Sequence, residues 1–267
     1  MDSRRLVKQM SRAADTLLPT HSGVTVLIYH RVGGGSASQV DLPTDEFERH
    51  MAHLAEHTNV VTLDDAVAGL AAGRDDGPRV VITFDDGTAD FTEHAMPVVA
   101  RHRLPVTLYA ATSFIDTQTQ FPWDAPPTSW PALRDAASTG LVTVGSHTHS
   151  HWLLDRLDPA AIADDLDRSI DLIGTHIGSP PAHFAYPKAL PGSVHAEIAV
   201  RRRFASAALA ASRVNRPGHT DLHRLWRTPV QRADGFDFFV AKASGGLRLE
   251  GELRALAARV KYRGASR

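Results

Sequence analysis

One short apolar run limits the fold and the chemistry of this chain more than any other feature. Val80–Phe84 is rich in β-branched residues, and Asp85, Asp86 and Gly87 follow it directly. A short, continuous apolar run of this kind predicts a strand buried on both faces of a parallel sheet. The carboxyl ends of such strands are where βα folds place their chemistry. Two adjacent carboxylates that lose solvent there need a compensating cation.

A second polar cluster supplies complementary ligands. The apolar segment Val142–Ser146 is followed by two histidines four residues apart, His147 and His151. One helical turn would place both imidazoles on one side. With Asp86 they form a set of two nitrogens and one carboxylate that leaves coordination positions open, as in catalytic zinc sites. Asp85 would remain free as a base. We expect a divalent metal, zinc first, with cobalt or nickel as alternatives.

Each cluster has a simpler explanation when it is taken alone. An Asp-Asp-Gly sequence after a strand is often only a turn in which Asp caps the next helix. The histidines could belong to a solvated loop, because the chain contains 15 of them. The two clusters together favour the metal site, because both follow apolar strands and their ligand types are complementary.

Strand-like and helix-like segments alternate along the chain. The clearest helix is predicted from Pro159 to His176, with Asp158 as N-cap and Gly178 beyond its end. Apolar strands are predicted near Val24, Arg79, Val106, Val142, His183, Phe204 and Leu225. This alternation predicts an α/β fold with a mostly parallel sheet. About seven strands predict an incomplete, distorted (β/α) barrel.

The sequence predicts three parts: an N-terminal helical extension over 1–22, one domain over 23–246, and a basic helical tail over 247–267. The first segment is weakly amphipathic, with Leu6, Met10, Ala13 and Leu17 on one face. That face either packs on the barrel or lies on a membrane surface as a peripheral contact. Its charges interrupt any apolar leader, so a cytoplasmic location is expected, at the inner membrane face if the helix binds lipid.

Composition excludes several classes of function. The formal net charge is −1 with opposite charges intermixed, which gives no electrostatic case for a nucleic-acid partner. The chain has no cysteine, so disulfides and thiolate metal sites are excluded. Oligomeric state is not encoded in any pattern we identify.

Three motifs carry a family resemblance. Thr83–Gly87, His147–His151 and Phe184–Pro187 resemble the motifs of the polysaccharide deacetylases, the NodB homology domain of carbohydrate esterase family 4. The match runs from about Val24 to about Gly246. The resemblance implies a barrel hydrolase that uses a divalent metal to remove acetyl groups from N-acetylated saccharides. It gives Asp85 as base and Asp86, together with the two motif histidines, as metal ligands.

The resemblance is greatest to the circularly permuted exopolysaccharide branch, the poly-N-acetylglucosamine deacetylases. In that branch a Tyr-His pair ends the first strand, as Tyr29 and His30 do here. The resemblance therefore implies that His30 is the general acid, with His223 as the weaker rival. A parallel barrel would bring the end of this strand beside Asp85.

Two departures from the family pattern affect other site residues. No arginine stands beside the third motif, so Arg227 is the candidate that orients the base; otherwise it packs its stem on Trp226 at the surface. Tyr186, Pro187 and Lys188 are expected to bind substrate, with a backbone N–H there as oxyanion donor.

The tryptophans are the candidates for stacking on a sugar ring. Trp152, which follows the histidine cluster directly, is the best placed, ahead of Trp123 and Trp130.

Three functions remain open at this point. The first is N-deacetylation of a saccharide, polysaccharide or lipid-linked precursor. The second is another non-peptide C–N hydrolysis, such as deformylation of an amino sugar or opening of a cyclic ureide. The third is a non-catalytic carbohydrate-binding homologue, which would not need a base beside a metal.

Overall fold

The computed structural model describes residues 3–15 and 22–262. Its strands are short, and the longer ones of the main sheet, such as Val24–Tyr29 and Arg79–Phe84, follow apolar runs. They are β1 (Val24–Tyr29), β2 (Arg31–Val32), β3 (Asp41–Leu42), β4 (Arg79–Phe84), β5 (Val106–Ala110), β6 (Val142–Ser146), β7 (His183–Ala185), β8 (Ser206–Ala208) and β9 (Arg227–Pro229).

Seven of these strands form one parallel sheet that curls into a nearly closed barrel. Their order is β8-β7-β6-β5-β4-β1-β9, with β2 and β3 as a separate pair. The seam lies between β8 and β9, which do not pair as strands. A bridge between Ala208 and Leu225 and a backbone hydrogen bond from the Ala211 amide to the Arg227 carbonyl, at 2.9 Å, connect the two edges. The predicted incomplete α/β barrel of about seven parallel strands is therefore confirmed.

The strands are buried on both faces, as their β-branched composition predicts. Along β1, Leu27 and Tyr29 pack with the residues of the outer helices, whereas Val24 and Val26 belong to a second apolar cluster. This alternation is the two-residue period of a strand.

Helices connect the strands and cover the barrel. They are α1 (Ser3–Asp15), α2 (Thr44–His57), α3 (Leu63–Ala71), α4 (Met96–His102), α5 (Thr112–Thr117), α6 (Trp130–Ser138), α7 (Pro159–Ile177), α8 (Val194–Arg203), α9 (Gly235–Ala243) and α10 (Arg248–Tyr262). The predicted helix from Pro159 is confirmed: the Asp158 side chain accepts two backbone amides, and Gly178 ends the helix with φ 94°.

Helix α3 covers the amino-terminal end of the strands. Its Leu63 and Ala66 join the apolar cluster of Val24 and Val81, at the beginnings of β1 and β4. The opposite end, where the strands finish, is left for the functional site.

The two terminal segments pack against each other as α1 and α10. We expected the apolar face of the first helix either to pack on the barrel or to lie on lipid. In the structure, Lys8 and Ser11 are buried, and Leu6 and Met10 are exposed. The prediction that the apolar face packs on the barrel is therefore wrong. Leu17 lies outside the described residues. Among the helices that are described, none combines the length and apolar character needed to cross a bilayer.

Candidate metal centre

The two aspartates lie at the carboxyl rim, directly after β4. Both are almost fully buried. Asp86 has φ 76°, a left-handed conformation that is unusual for a residue with a side chain. Its carbonyl accepts the amide of Ala111 at 2.9 Å, which ties this turn to the end of the neighbouring strand β5. Backbone strain held in place by such contacts is typical of functional sites.

The segment from His147 to His151 is a loop, so the predicted helical turn is wrong. Thr148 has φ 70° and His151 has φ 59°, and neither value is compatible with a right-handed helix. Asp165 on α7 holds the loop, because its carboxylate accepts the two backbone amides that follow Thr148, at 3.0 and 2.9 Å. The two imidazoles are nevertheless close, with ring centroids 4.9 Å apart.

Three donor atoms converge at this rim. The Asp86 Oδ1 atom lies 3.6 Å from His147 Nε2 and 3.2 Å from His151 Nε2. Their ligand atoms all fall within 4.8 Å of one another, which is the spacing that one metal ion requires. The set of two nitrogens and one carboxylate oxygen suits a divalent transition metal with open positions.

The electrostatics keep these groups in the protonation states that bind metal. Burial lowers the pKa of His147 to about 4, so its imidazole is neutral near neutral pH. The backbone carbonyl of Ala185 lies 2.8 Å from His147 Nδ1 and accepts a hydrogen bond when Nδ1 carries the proton. The lone pair of Nε2 is then available to bind a metal ion. Burial alone would raise the pKa of Asp86, but His151, and then His30 and His147, hold it well below its usual range.

Asp85 is held by Arg227, which begins β9, the seam strand on the other side of β1. The guanidinium donates to both carboxylate oxygens, at 2.5 and 2.8 Å. It is fully buried and also donates to the Leu209 carbonyl, so it does not lie at the surface on Trp226. Burial would raise the pKa of Asp85, but Arg227 and then His147 hold it below the usual value.

His30 follows β1 and lines the same cavity. Tyr29 pairs with Phe84 in parallel register, so His30 and Asp85 come next on adjacent strands. The expected meeting of these two strand ends is confirmed. Nδ1 of His30 is buried and has no hydrogen-bond partner among the described residues. The rival His223 is not part of the cavity wall, and its Nε2 contacts the Phe204 carbonyl at 2.8 Å.

A cavity of about 1040 Å³ opens over the metal ligands. Lys188 lines it, as expected. Tyr186 and Pro187 do not line it, which contradicts their expected contact with substrate. Both side chains are buried, and the Tyr186 ring packs edge-on against Phe184 at 5.1 Å.

The tryptophan expected beside the substrate is also wrong. Trp152 is 38% exposed and does not line the cavity, whereas Trp123 does. The Trp123 ring lies 6.0 Å from the His151 ring, and the Lys188 ammonium lies 5.0 Å above its face. Trp130 stacks on His176 in the core, away from the site.

Sequence reasoning missed the outer wall of the cavity. Trp226, Gln231 and Arg254 line it, although they belong to segments that carry no recognisable motif. The proximity of Trp226 to Arg227 in the sequence was the one available signal. Arg254 lies on α10, in the segment that the sequence predicted to be a basic helical tail after the domain.

The geometry defines a class first: a barrel with a buried Asp-His-His metal-ligand set beside a second, arginine-bound carboxylate. Comparison with known proteins agrees. The family model described as polysaccharide deacetylase matches residues 72–201. A curated relative, the putative polysaccharide deacetylase YxkH of Bacillus subtilis (strain 168), is 27% identical over 165 residues, which are 61% of this chain and 55% of that protein.

Solved structures share the fold over most of the chain. IcaB from Ammonifex degensii has a TM-score of 0.74 at 25% identity, covering 84% of this chain and 98% of IcaB. The de-N-acetylase from Aggregatibacter actinomycetemcomitans has a TM-score of 0.66 at 19% identity, covering 82% and 99%. Residues 72–201 match the polysaccharide deacetylase family, and the solved structures agree with the resemblance to the exopolysaccharide branch.

Proposed function

We propose that this protein is a divalent-metal-dependent hydrolase that removes N-acetyl groups from an amino-sugar saccharide. One observation carries the proposal: a buried carboxylate, Asp85, stands beside a separate Asp-His-His ligand set at the rim of one cavity. A purely binding homologue needs neither the second carboxylate nor its buried arginine partner. The match of residues 72–201 to the polysaccharide deacetylase family supports the same reaction class.

Asp86, His147 and His151 would hold the ion, which we propose to be zinc, with cobalt or nickel as functional substitutes. The bound ion would supply a Lewis acid that acidifies water and polarises the acetyl carbonyl. Asp85 takes the proton from the attacking water. Arg227 fixes both oxygens of that carboxylate, so the base keeps one orientation and stays ionised.

The remaining steps need an oxyanion donor and an acid. The backbone amides of Ala189 and Leu190 already donate to the Tyr186 and Pro187 carbonyls, so we assign the oxyanion contact to the amide of Lys188. His30 protonates the departing sugar nitrogen. An amine leaves slowly unless it is protonated, so this step requires a positioned acid.

The cavity favours a substrate larger than one sugar. Its volume of about 1040 Å³ is at the upper end of small-molecule sites. Trp123 and Trp226 place aromatic rings in its wall, where a sugar can contact them. We therefore propose an oligosaccharide, a polysaccharide or a lipid-linked saccharide as the substrate.

The test is a substrate panel on the zinc-loaded chain. Acetate release is measured from chito-oligosaccharides, peptidoglycan fragments and lipid-linked N-acetyl amino sugars, and N-formyl amino sugars and cyclic ureides are assayed in parallel. The matched control is Asp85→Asn, which should retain metal and lose turnover. Acetate release that depends on Asp85 supports the proposal. Turnover of only the formyl or ureide substrates, or of none with metal bound, would overturn it.

A further inference from the structure

The exposed apolar side chains of this protein are concentrated on two helices. Eight large apolar side chains are exposed among the described residues, and five of them belong to α1 or α10. We call these five the terminal-helix face: Leu6, Met10, Leu249, Leu253 and Leu256, each 41–60% exposed. On both helices their spacing of three or four residues forms a stripe along one side. Clustered exposed apolar groups mark interaction sites more often than scattered ones do.

The stripe is exposed because the two helices dock through polar groups. The Lys8 ammonium is fully buried and bonds to the carboxylates of Asp234 and Glu250. Lys242 donates to the same Asp234 at 2.8 Å, which completes a buried cluster of opposite charges. The Asp15 carboxylate accepts the amide of Leu247 just before α10 begins. This docking is the reverse of the usual arrangement, in which the apolar side packs inward.

Charge separates the same two segments from the rest of the chain. Residues 247–267 contain six arginines and lysines against two glutamates. Residues 1–15 contain four basic residues against two aspartates, but Lys8 is buried and paired, so the excess positive charge lies mainly on the C-terminal segment. The whole chain has a net charge of −1, so the remainder is acidic. Basic helices with an apolar stripe complement an anionic lipid surface through both forces at once.

We propose that the terminal-helix face binds the surface of an anionic lipid bilayer. Helix α10 makes this binding relevant to the site, because its other side lines the cavity through Gly251, Arg254 and Ala257. Membrane contact along α10 would place the mouth of the cavity beside the bilayer. A saccharide carried on a membrane lipid would then reach the site without leaving the membrane.

The experiment is vesicle co-sedimentation of the full chain with phosphatidylcholine vesicles, with and without phosphatidylglycerol. The wild-type protein should sediment with the anionic vesicles, and less so as salt is raised. Leu253→Ser combined with Leu256→Ser should lower the partition coefficient by about tenfold or more, because the exposed half of each side chain no longer enters lipid. Leu6→Ser combined with Met10→Ser should act in the same direction.

The matched control is Val194→Ser combined with Ile198→Ser on α8, where two apolar residues are 74% and 43% exposed at a similar helical spacing. This control should bind vesicles as the wild type does. The proposal is overturned if the α8 control loses as much vesicle binding as the α10 double variant. It is also overturned if the wild type does not bind vesicles. A third outcome also overturns it: light scattering shows that the wild type is a dimer that does not bind vesicles, and only the α10 double variant is a monomer. Sedimentation needs no turnover, so its result stands apart from the proposed deacetylase activity.

Discussion

Replacing Arg227 with methionine tests how the base is held. The substitution keeps much of the side-chain length but removes two charge-assisted hydrogen bonds, at 2.5 and 2.8 Å, from the buried carboxylate of Asp85. Breaking a buried pair from one side costs about 3–5 kcal/mol, because the remaining charge is left without compensation. Urea denaturation of the metal-free protein at neutral pH should show a loss of unfolding free energy of this size.

The chain contains a matched control for this measurement. Arg203 also donates to both carboxylate oxygens of Asp167, at 2.5 and 2.8 Å, although through Nε and one terminal nitrogen, and that carboxylate is 54% exposed. A surface pair contributes about 0–1 kcal/mol, so Arg203→Met should change stability little. Both variants lose two hydrogen bonds to one carboxylate, so comparing them measures the effect of burial.

The pH dependence gives a second readout. Burial raises the pKa of Asp85, but Arg227 and His147 lower it further, so its net shift is downward. A group with a depressed folded pKa contributes stability above its unfolded pKa and loses it as pH falls through the folded value. The stability difference between wild type and Arg227→Met should therefore narrow in acid. In Arg227→Met the acidic limb of kcat/KM should move to higher pH. Without the guanidinium, burial raises the pKa of the Asp85 carboxylate, and the base is protonated at a higher pH.

Arg227→Lys should give an intermediate result, since it keeps the charge but not the planar fork. Our assignment is refuted if Arg227→Met is no less stable than Arg203→Met and leaves the acidic limb in place.

The other predictions concern the neighbouring residues. Asp85→Asn should abolish turnover and retain metal, whereas Asp86→Asn should lose both; equal metal loss by elemental analysis would contradict this division. His30→Ala should lower kcat by roughly 10²–10⁴ at unchanged metal content, with a smaller loss on an ester substrate; full activity would remove its role as acid. Asp165→Ala should weaken zinc binding about 10–100-fold in a chelator competition, because the loop carrying His151 loses its anchor; unchanged affinity would show that the loop holds itself.

Local patterns in the sequence predict the barrel, and they also predict that the candidate metal ligands meet at one rim. The run before Asp85 is β-branched and continuous, so its burial in a parallel sheet follows from residue type. Once the strands are parallel, their carboxyl ends share one rim, and His30, Asp85 and His147 must lie near one another. Because this step depends on strand direction rather than on side-chain detail, it could be made before the structure.

Features that depend on distant contacts could not be predicted. Thr148 and His151 are left-handed, and Asp165 on the following helix holds the loop between them by accepting the amides of His149 and Ser150. Spacing alone therefore suggested a helical turn that does not form. Trp123 lines the cavity and Trp152 does not, and no pattern in the chain distinguishes the two.

The docking of the first helix was equally hidden in the sequence. Lys8 forms ion pairs with Asp234 and Glu250, which lie more than two hundred residues later in the sequence. An amphipathic pattern predicts that the apolar side packs inward, and here the buried charges reverse that preference.

The most direct test of a metal-dependent deacetylase is a zinc titration of the chelator-treated full chain, with acetate release as the readout. We predict that the metal-free protein is inactive and that activity returns and saturates at about one zinc per chain, as a single site requires. Asp86→Asn, which lacks one ligand, should not regain activity over the same range. Full activity without metal, or equal recovery by Asp86→Asn, would contradict the account.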